Sequence, residues 1–179
     1  MKLKHFWYAL LVISPLLAYG QTSTFNRFTE DMPERLETDA ANVMIRGLVH
    51  DFSNKLCSRL GGPVAQDIHI EVGEWQKRND LFIHGAAEVL NDFANKYIPI
   101  GGEIAKQDYL QMVLRTTTKT ASERVMRQLN GATLDNNIIP QQAACLGLAR
   151  MLHDGLADFE RSPQTTQALL VYMQRNVKP

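Results

Sequence analysis

Cysteine is scarce: the 179 residues contain only Cys57 and Cys145, which stand 88 positions apart. Two such distant thiols make neither a Cys-x-x-Cys-His haem attachment site nor a cysteine zinc cluster, because both need thiolates at short fixed spacings. No Gly-x-Ser-x-Gly stretch is present, so the strained nucleophile turn of an α/β-hydrolase is missing. No glycine-rich loop can cradle phosphates either, since Gly61-Gly62 runs into Pro63 and no lysine follows at the required distance. An excess of one charge is also lacking: 19 basic residues face 19 acidic ones, which argues against a nucleic-acid partner. No linker or low-complexity run divides the chain, so one domain with one core is expected.

The longest apolar run lies at the start, in MKLKHFWYALLVISPLLAYG. Lys2 and Lys4 form a basic head, Phe6 to Leu17 an apolar middle, and Ala18-Tyr19-Gly20 supplies the small residues a signal peptidase reads. An uncleaved anchor would need roughly 20 apolar residues, and Ser14 and Pro15 interrupt this run. No cysteine follows the expected cleavage point, so lipid anchoring is not expected. Residues 1–20 are therefore expected to be a cleaved signal peptide. The expected destination is the bacterial periplasm or the exterior, with no membrane span after cleavage. Removing Lys2 and Lys4 leaves 17 basic against 19 acidic residues. In an oxidising compartment Cys57 and Cys145 are expected to pair as a disulfide. In the chain-entropy picture such a loop stabilises by about 4 to 5 kcal/mol. The alternative is two buried thiols acting as small hydrophobes.

The remaining pattern is helical, and no strand or hairpin signal competes with it. Residues 39–60 carry Ala41, Ile45, Leu48, Phe52, Leu56 and Leu60 at steps of three and four, after Thr38 or Asp39 as cap and before Gly61-Gly62-Pro63. Ile68, Val72, Trp75, Asn79, Phe82, Ala86, Val89 and Phe93 alternate steps of four and three, a heptad seam with one polar member. Ile68-His69-Ile70-Glu71-Val72 also alternates as a strand would, so residues 64–73 stay open between helix and strand. A third helix is expected over 103–130, ending at Asn130-Gly131, with Leu110, Leu114, Thr117, Ala121, Val125 and Leu129 inward. Its Thr116-Thr117-Thr118-Lys119-Thr120 centre is weak in helix propensity and must be held by packing. A fourth starts at Pro140 and carries Cys145, Leu148, Ala149, Leu152, Leu156 and Phe159. A fifth follows Ser162-Pro163 with Leu169, Tyr172 and Met173 inward. The expected architecture is thus all-α: a single-domain bundle of about five helices, mostly antiparallel, over residues 38–179. An N-terminal arm, residues 21–37, precedes it, with Phe25, Phe28, Met32 and Leu36 at helical steps; Pro33 interrupts or begins any helix there.

Candidate chemistry is sparse. His84 and Glu88 are one helical turn apart and Asp92 continues the row, a spacing that suits shared metal ligation; nothing marks a third ligand on another helix, so the row reads first as a solvated face. His50-Asp51 and His153-Asp154 are adjacent in sequence and point apart on a helix. Glu71 and Glu74 beside Trp75 suggest a carboxylate and aromatic cleft for glycans only weakly. Met32, Met44, Met112, Met126, Met151 and Met173 are scattered, which fits core filling better than copper handling. No catalytic residue and no cofactor are expected.

Between the second and third helices stands Tyr97-Ile98-Pro99-Ile100-Gly101-Gly102-Glu103. As a turn it is explained by Pro99, which pushes Ile98 out of helical geometry, by the two glycines, and by Glu103 at the next helix start. Ile98 and Ile100 are not explained by turning; they are expected to cap the end of the core against the Ser162-Pro163 turn, the alternative being that with Tyr97 they offer a contact to a partner. The up-and-down order places this turn at the end of the bundle opposite the cysteines. The expected function is non-enzymatic binding of another protein in the bacterial envelope, as an inhibitor or immunity factor or as an accessory to an envelope machine. A cell-envelope hydrolase with an unfamiliar site, or a carrier of a small ligand or metal, are the alternatives. Sequence does not fix the oligomeric state.

Overall fold

The computed structural model describes residues 33–133, 138–162 and 166–176. The expected signal peptide, Phe25, Phe28, Met32 and Pro163 lie outside the described residues. The chain divides into two compact units, Met1–Arg35 and Leu36–Pro179, and the packing that follows belongs to the second. Every described element is helical: α1 Pro33–Cys57, α2 Gly62–Arg78, α3 Asp80–Asn95, α4 Ile98–Thr133, α5 Ile138–His153 and α6 Gln167–Asn176, with 3-10 turns at Ser58–Leu60 and Phe159–Arg161.

The first helix begins at Pro33 rather than after Thr38, as suits a residue whose missing N–H is harmless in a first helical turn. From Leu36 to His50 it is buried almost all round: Leu36, Ala40, Val43, Met44, Ile45, Leu48 and Val49 all belong to the core. The expected stripe was only one side of a helix that has neighbours on several. Ile45, Leu48 and Val49 pack on Ala121, Val125 and Leu129 of α4, with Phe52, Leu56 and Ala144 around them. Beyond α1, α2 lies against α5, α5 against α4, α4 against α3, and α3 against α6. The α3 and α6 contact is close at Gly85, where a Cβ would come 2.9 Å from the Met173 side chain.

Residues 64–73 are helical, and burial says why. Ile68 and Val72 are buried while Ile70 is exposed, whereas a strand would turn all three the same way. The heptad seam is also buried throughout, from Ile68 and Val72 through Trp75, Asn79, Phe82, Ala86 and Val89 to Phe93. It does not form one helix. The chain leaves helical geometry at Asn79, with φ −105 and ψ 9, and restarts as α3, which makes six helices among the described residues where about five were expected.

Helix α4 buries Tyr109, Thr117, Ala121, Val125 and Leu129. Thr117 returns its hydroxyl to the carbonyls of Val113 and Leu114 at 2.8 and 3.1 Å, which satisfies the buried oxygen at the weak threonine run. The helix continues past Asn130-Gly131 to Thr133.

The fourth expected helix ends early, at His153 rather than near Phe159. Gly155 takes φ 65, and Leu156 N donates to Met151 O while Gly155 N donates to Leu152 O. These two bonds make a Schellman stop. The turn then sends Leu156 outward, 58% exposed, and Phe159 into the core. Leu169, Tyr172 and Met173 of α6 face inward as expected.

Cys57, the last residue of α1, and Cys145, in α5, form the expected disulfide, with Cα atoms 5.9 Å apart. Both are fully buried.

Candidate functional site

Two features stand out above ordinary packing: a buried polar joint built around the turn at residues 154–161, and an exposed apolar turn at residues 97–104.

The joint begins with the break at Asn79. Its Nδ2 donates to Trp75 O at 2.8 Å and to Asp158 Oδ1 at 3.0 Å, and its Oδ1 accepts from Phe159 N at 2.9 Å. Arg78 adds Nε to Asp158 Oδ2 at 3.1 Å and Nη2 to Leu152 O at 2.6 Å, covering the carbonyl end of α5. Ala157 O accepts from Trp75 Nε1 at 3.1 Å and from Arg46 Nη2 at 2.8 Å. Arg46 lies 4.6 Å over the Phe159 ring, and Phe159 rests between Trp75 and Phe82. Residues from α1, α2 and α3 thus hold one turn in place, and buried polar groups of this kind are stabilising only when their partners are supplied.

His50 closes the joint from α1. Its ring stands edge-on to Trp75 at 4.4 Å, and its Nδ1 is buried without a hydrogen-bond partner. Burial, and then the charge of Arg46, push its pKa down to about 4 against the pull of Asp158, so the ring is neutral at pH 7. Burial also lowers Arg46 below its ordinary value, with the like charge of Arg124 as the next cause.

At the apolar turn, Tyr97 O accepts from both Ile100 N and Gly101 N at 3.1 Å. Ile98, Pro99 and Ile100 make a helical turn, so Pro99 does not expel Ile98 from helical geometry. A proline in a first turn leaves no bond broken. The reversal occurs at Gly101 and Gly102, the latter at φ 67 and ψ −159, a conformation that favours glycine. Tyr97 stacks on Tyr109 at 5.0 Å, and the Tyr109 hydroxyl donates to Glu37 Oε1 at 2.5 Å. Ile100 is 80% exposed and Ile104 76%. The expectation that Ile100 caps the core is therefore corrected: its side chain stands in solvent.

The other candidates do not assemble. His84 Nδ1 lies 3.0 Å from both the backbone oxygen and the carboxylate of Asp80, Glu88 is exposed, and Asp92 accepts from the Tyr172 hydroxyl at 3.0 Å. Among the described residues no three His, Cys, Asp or Glu side chains are grouped to hold a metal. Trp75 is wholly buried, so Glu71 and Glu74 share no aromatic cleft with it; Glu71 instead meets His153 at 3.1 Å and Glu74 meets Lys77 at 2.7 Å. Met44 and Met173 fill the core, while Met112 and Met126 are exposed, which corrects the expectation for those two.

Sequence reasoning singled out Asn79 as polar but not as a break, and it missed Arg46, Arg78 and Asp158. One local signal was available: Asp154-Gly155 after an amphipathic run marks a helix stop. Comparison with protein-family models, with curated proteins and with solved structures finds no match.

Proposed function

We propose that the chain is an exported, non-enzymatic helical protein that works by binding another protein in the bacterial envelope, as an inhibitor or immunity factor or as an accessory to an envelope machine. The observation that carries this reading is the exposure of Ile98, Ile100 and Ile104 around one fixed turn. Single exposed apolar residues are ordinary, but a run of them on a braced loop is what a protein contact uses. Tyr97 and Tyr109 set the loop's base, so little ordering entropy remains to oppose binding.

In this proposal residues 1–20 are a cleaved signal peptide, and the helices of the mature chain run mostly antiparallel as one bundle. The Tyr97 to Ile104 turn then lies at the end away from the disulfide, where a partner is free to approach. The experiment is a pull-down from periplasmic extract with the mature protein as bait, repeated with an Ile100→Asp bait. A protein retained by the first and lost from the second, and rebound in purified form, supports the proposal. Recovery of the same background proteins with both baits removes it.

A further inference from the structure

We propose that His50 is the trigger of an acid-sensitive latch: a proton on its ring loosens the turn at residues 154–161 from α1 and α2 while the helices stay formed. The contacts that seat this turn converge where His50 stands. Its ring meets Trp75 at 4.4 Å, and Trp75 both bonds Ala157 O and packs on Phe159. Arg46, one helical turn before His50 and so on the same face of α1, bonds the same carbonyl and covers the same phenyl ring. The turn's own backbone bonds, Asp158 N to Gly155 O and Arg161 N to Asp158 O, are local. Whether it stays seated is therefore decided by the helices around it.

A neutral imidazole suits this position and a charged one does not. His50 is buried, and its Nδ1 has no hydrogen-bond partner, so a proton there creates a buried cation without an acceptor. Among the charges around it, Arg46 opposes that proton and Asp158 favours it, while Arg124 of α4 acts on Arg46. Both oxygens of Asp158 are already engaged by Arg78 and Asn79. The charged ring gains most from water, and the turn is the piece whose release admits it. Helix α1 is held on several sides by the core, whereas the turn carries exposed Asp154, Leu156, Glu160 and Arg161 and so has solvent on its outer side. Local opening of such a segment needs less free energy than global unfolding.

The test is amide hydrogen exchange of the disulfide-intact protein at pH 7.5 and pH 4.5, with each rate corrected for the intrinsic effect of pH. The amides read are those of Gly155, Leu156, Asp158, Arg161 and Ser162, which bond within and beside the turn, against residues 121–129 of α4. The turn should be less protected than α4 at both pH values, and its protection should fall at least tenfold at pH 4.5, with circular dichroism showing unchanged helix content. In His50→Phe, whose ring takes no proton, that fall should vanish. His50→Gln, a smaller side chain uncharged at both pH values, repeats the comparison and separates the loss of titration from a misfit of the phenyl ring. The proposal is overturned if the turn and α4 exchange at one common rate at pH 4.5, which is global unfolding, or if the tenfold fall persists in both variants.

Discussion

Asn79 reaches across 80 positions of sequence to Phe159, accepting the Phe159 backbone N–H on its side-chain Oδ1 at 2.9 Å. The same side chain bonds Asp158 and closes on Trp75 O, so one amide both ends α2 and seats the turn after α5.

Asn79→Leu should therefore destabilise the protein, although it completes an apolar heptad seam. Loss of three bonds and an orphaned Phe159 N–H together cost about 3 kcal/mol, to be read from the denaturant midpoint at unchanged slope. A more stable variant would show that the seam, not the joint, dictates this region.

Much of the helical pattern was legible because burial repeats with the helix period, as in Ala121, Val125 and Leu129 of α4. The break at Asn79 was not, since all eight seam residues are buried whether the helix bends or runs straight. What decides the bend is a bond to Phe159, and no local pattern announces a partner 80 positions away. The disulfide was legible for a different reason, as only two cysteines exist to pair. The exposure of Ile100 was hidden because an apolar side chain beside a turn reads alike whether it caps a core or faces solvent.

Asp39 offers a second test. Its buried carboxylate accepts from Ala168 N at 2.8 Å, in the first turn of α6, where a negative charge also suits the helix dipole. Asp39→Ala should lower stability by about 2 kcal/mol and speed amide exchange in α6. Asp39→Asn should lose less, since an amide oxygen still accepts.

Cys57 and Cys145 close a loop of 88 residues. Replacing both with alanine should lower the unfolding free energy by about 4 kcal/mol, chiefly by freeing the unfolded chain. Equilibrium unfolding of the oxidised protein and the double variant measures the difference; values within about 1 kcal/mol of each other would show that the unfolded chain gains little freedom.

His50 gives a pH dependence whose direction follows from its depressed pKa of about 4. The folded protein binds this proton less readily than the unfolded chain does, so the contribution is fully present above pH 6.5 and is lost as pH falls toward 4. The loss amounts to about 3 kcal/mol by linkage. Wild type and His50→Phe, compared by denaturant unfolding between pH 7.5 and 4, should diverge over that window, the wild type falling more steeply. Parallel curves would mean that His50 is not buried as a neutral ring.

The central claim is that the turn from Tyr97 to Ile104 is a protein contact, and it is tested most directly by the affinity of a double variant for a purified partner. Ile98→Asp with Ile100→Asp places two charges on the turn, at side chains 37% and 80% exposed, and circular dichroism should show unchanged helix content. The account predicts binding weakened at least 100-fold, about 2.7 kcal/mol. An affinity equal to wild type, with the fold intact, would contradict it and leave Tyr97 to Ile104 as a turn alone.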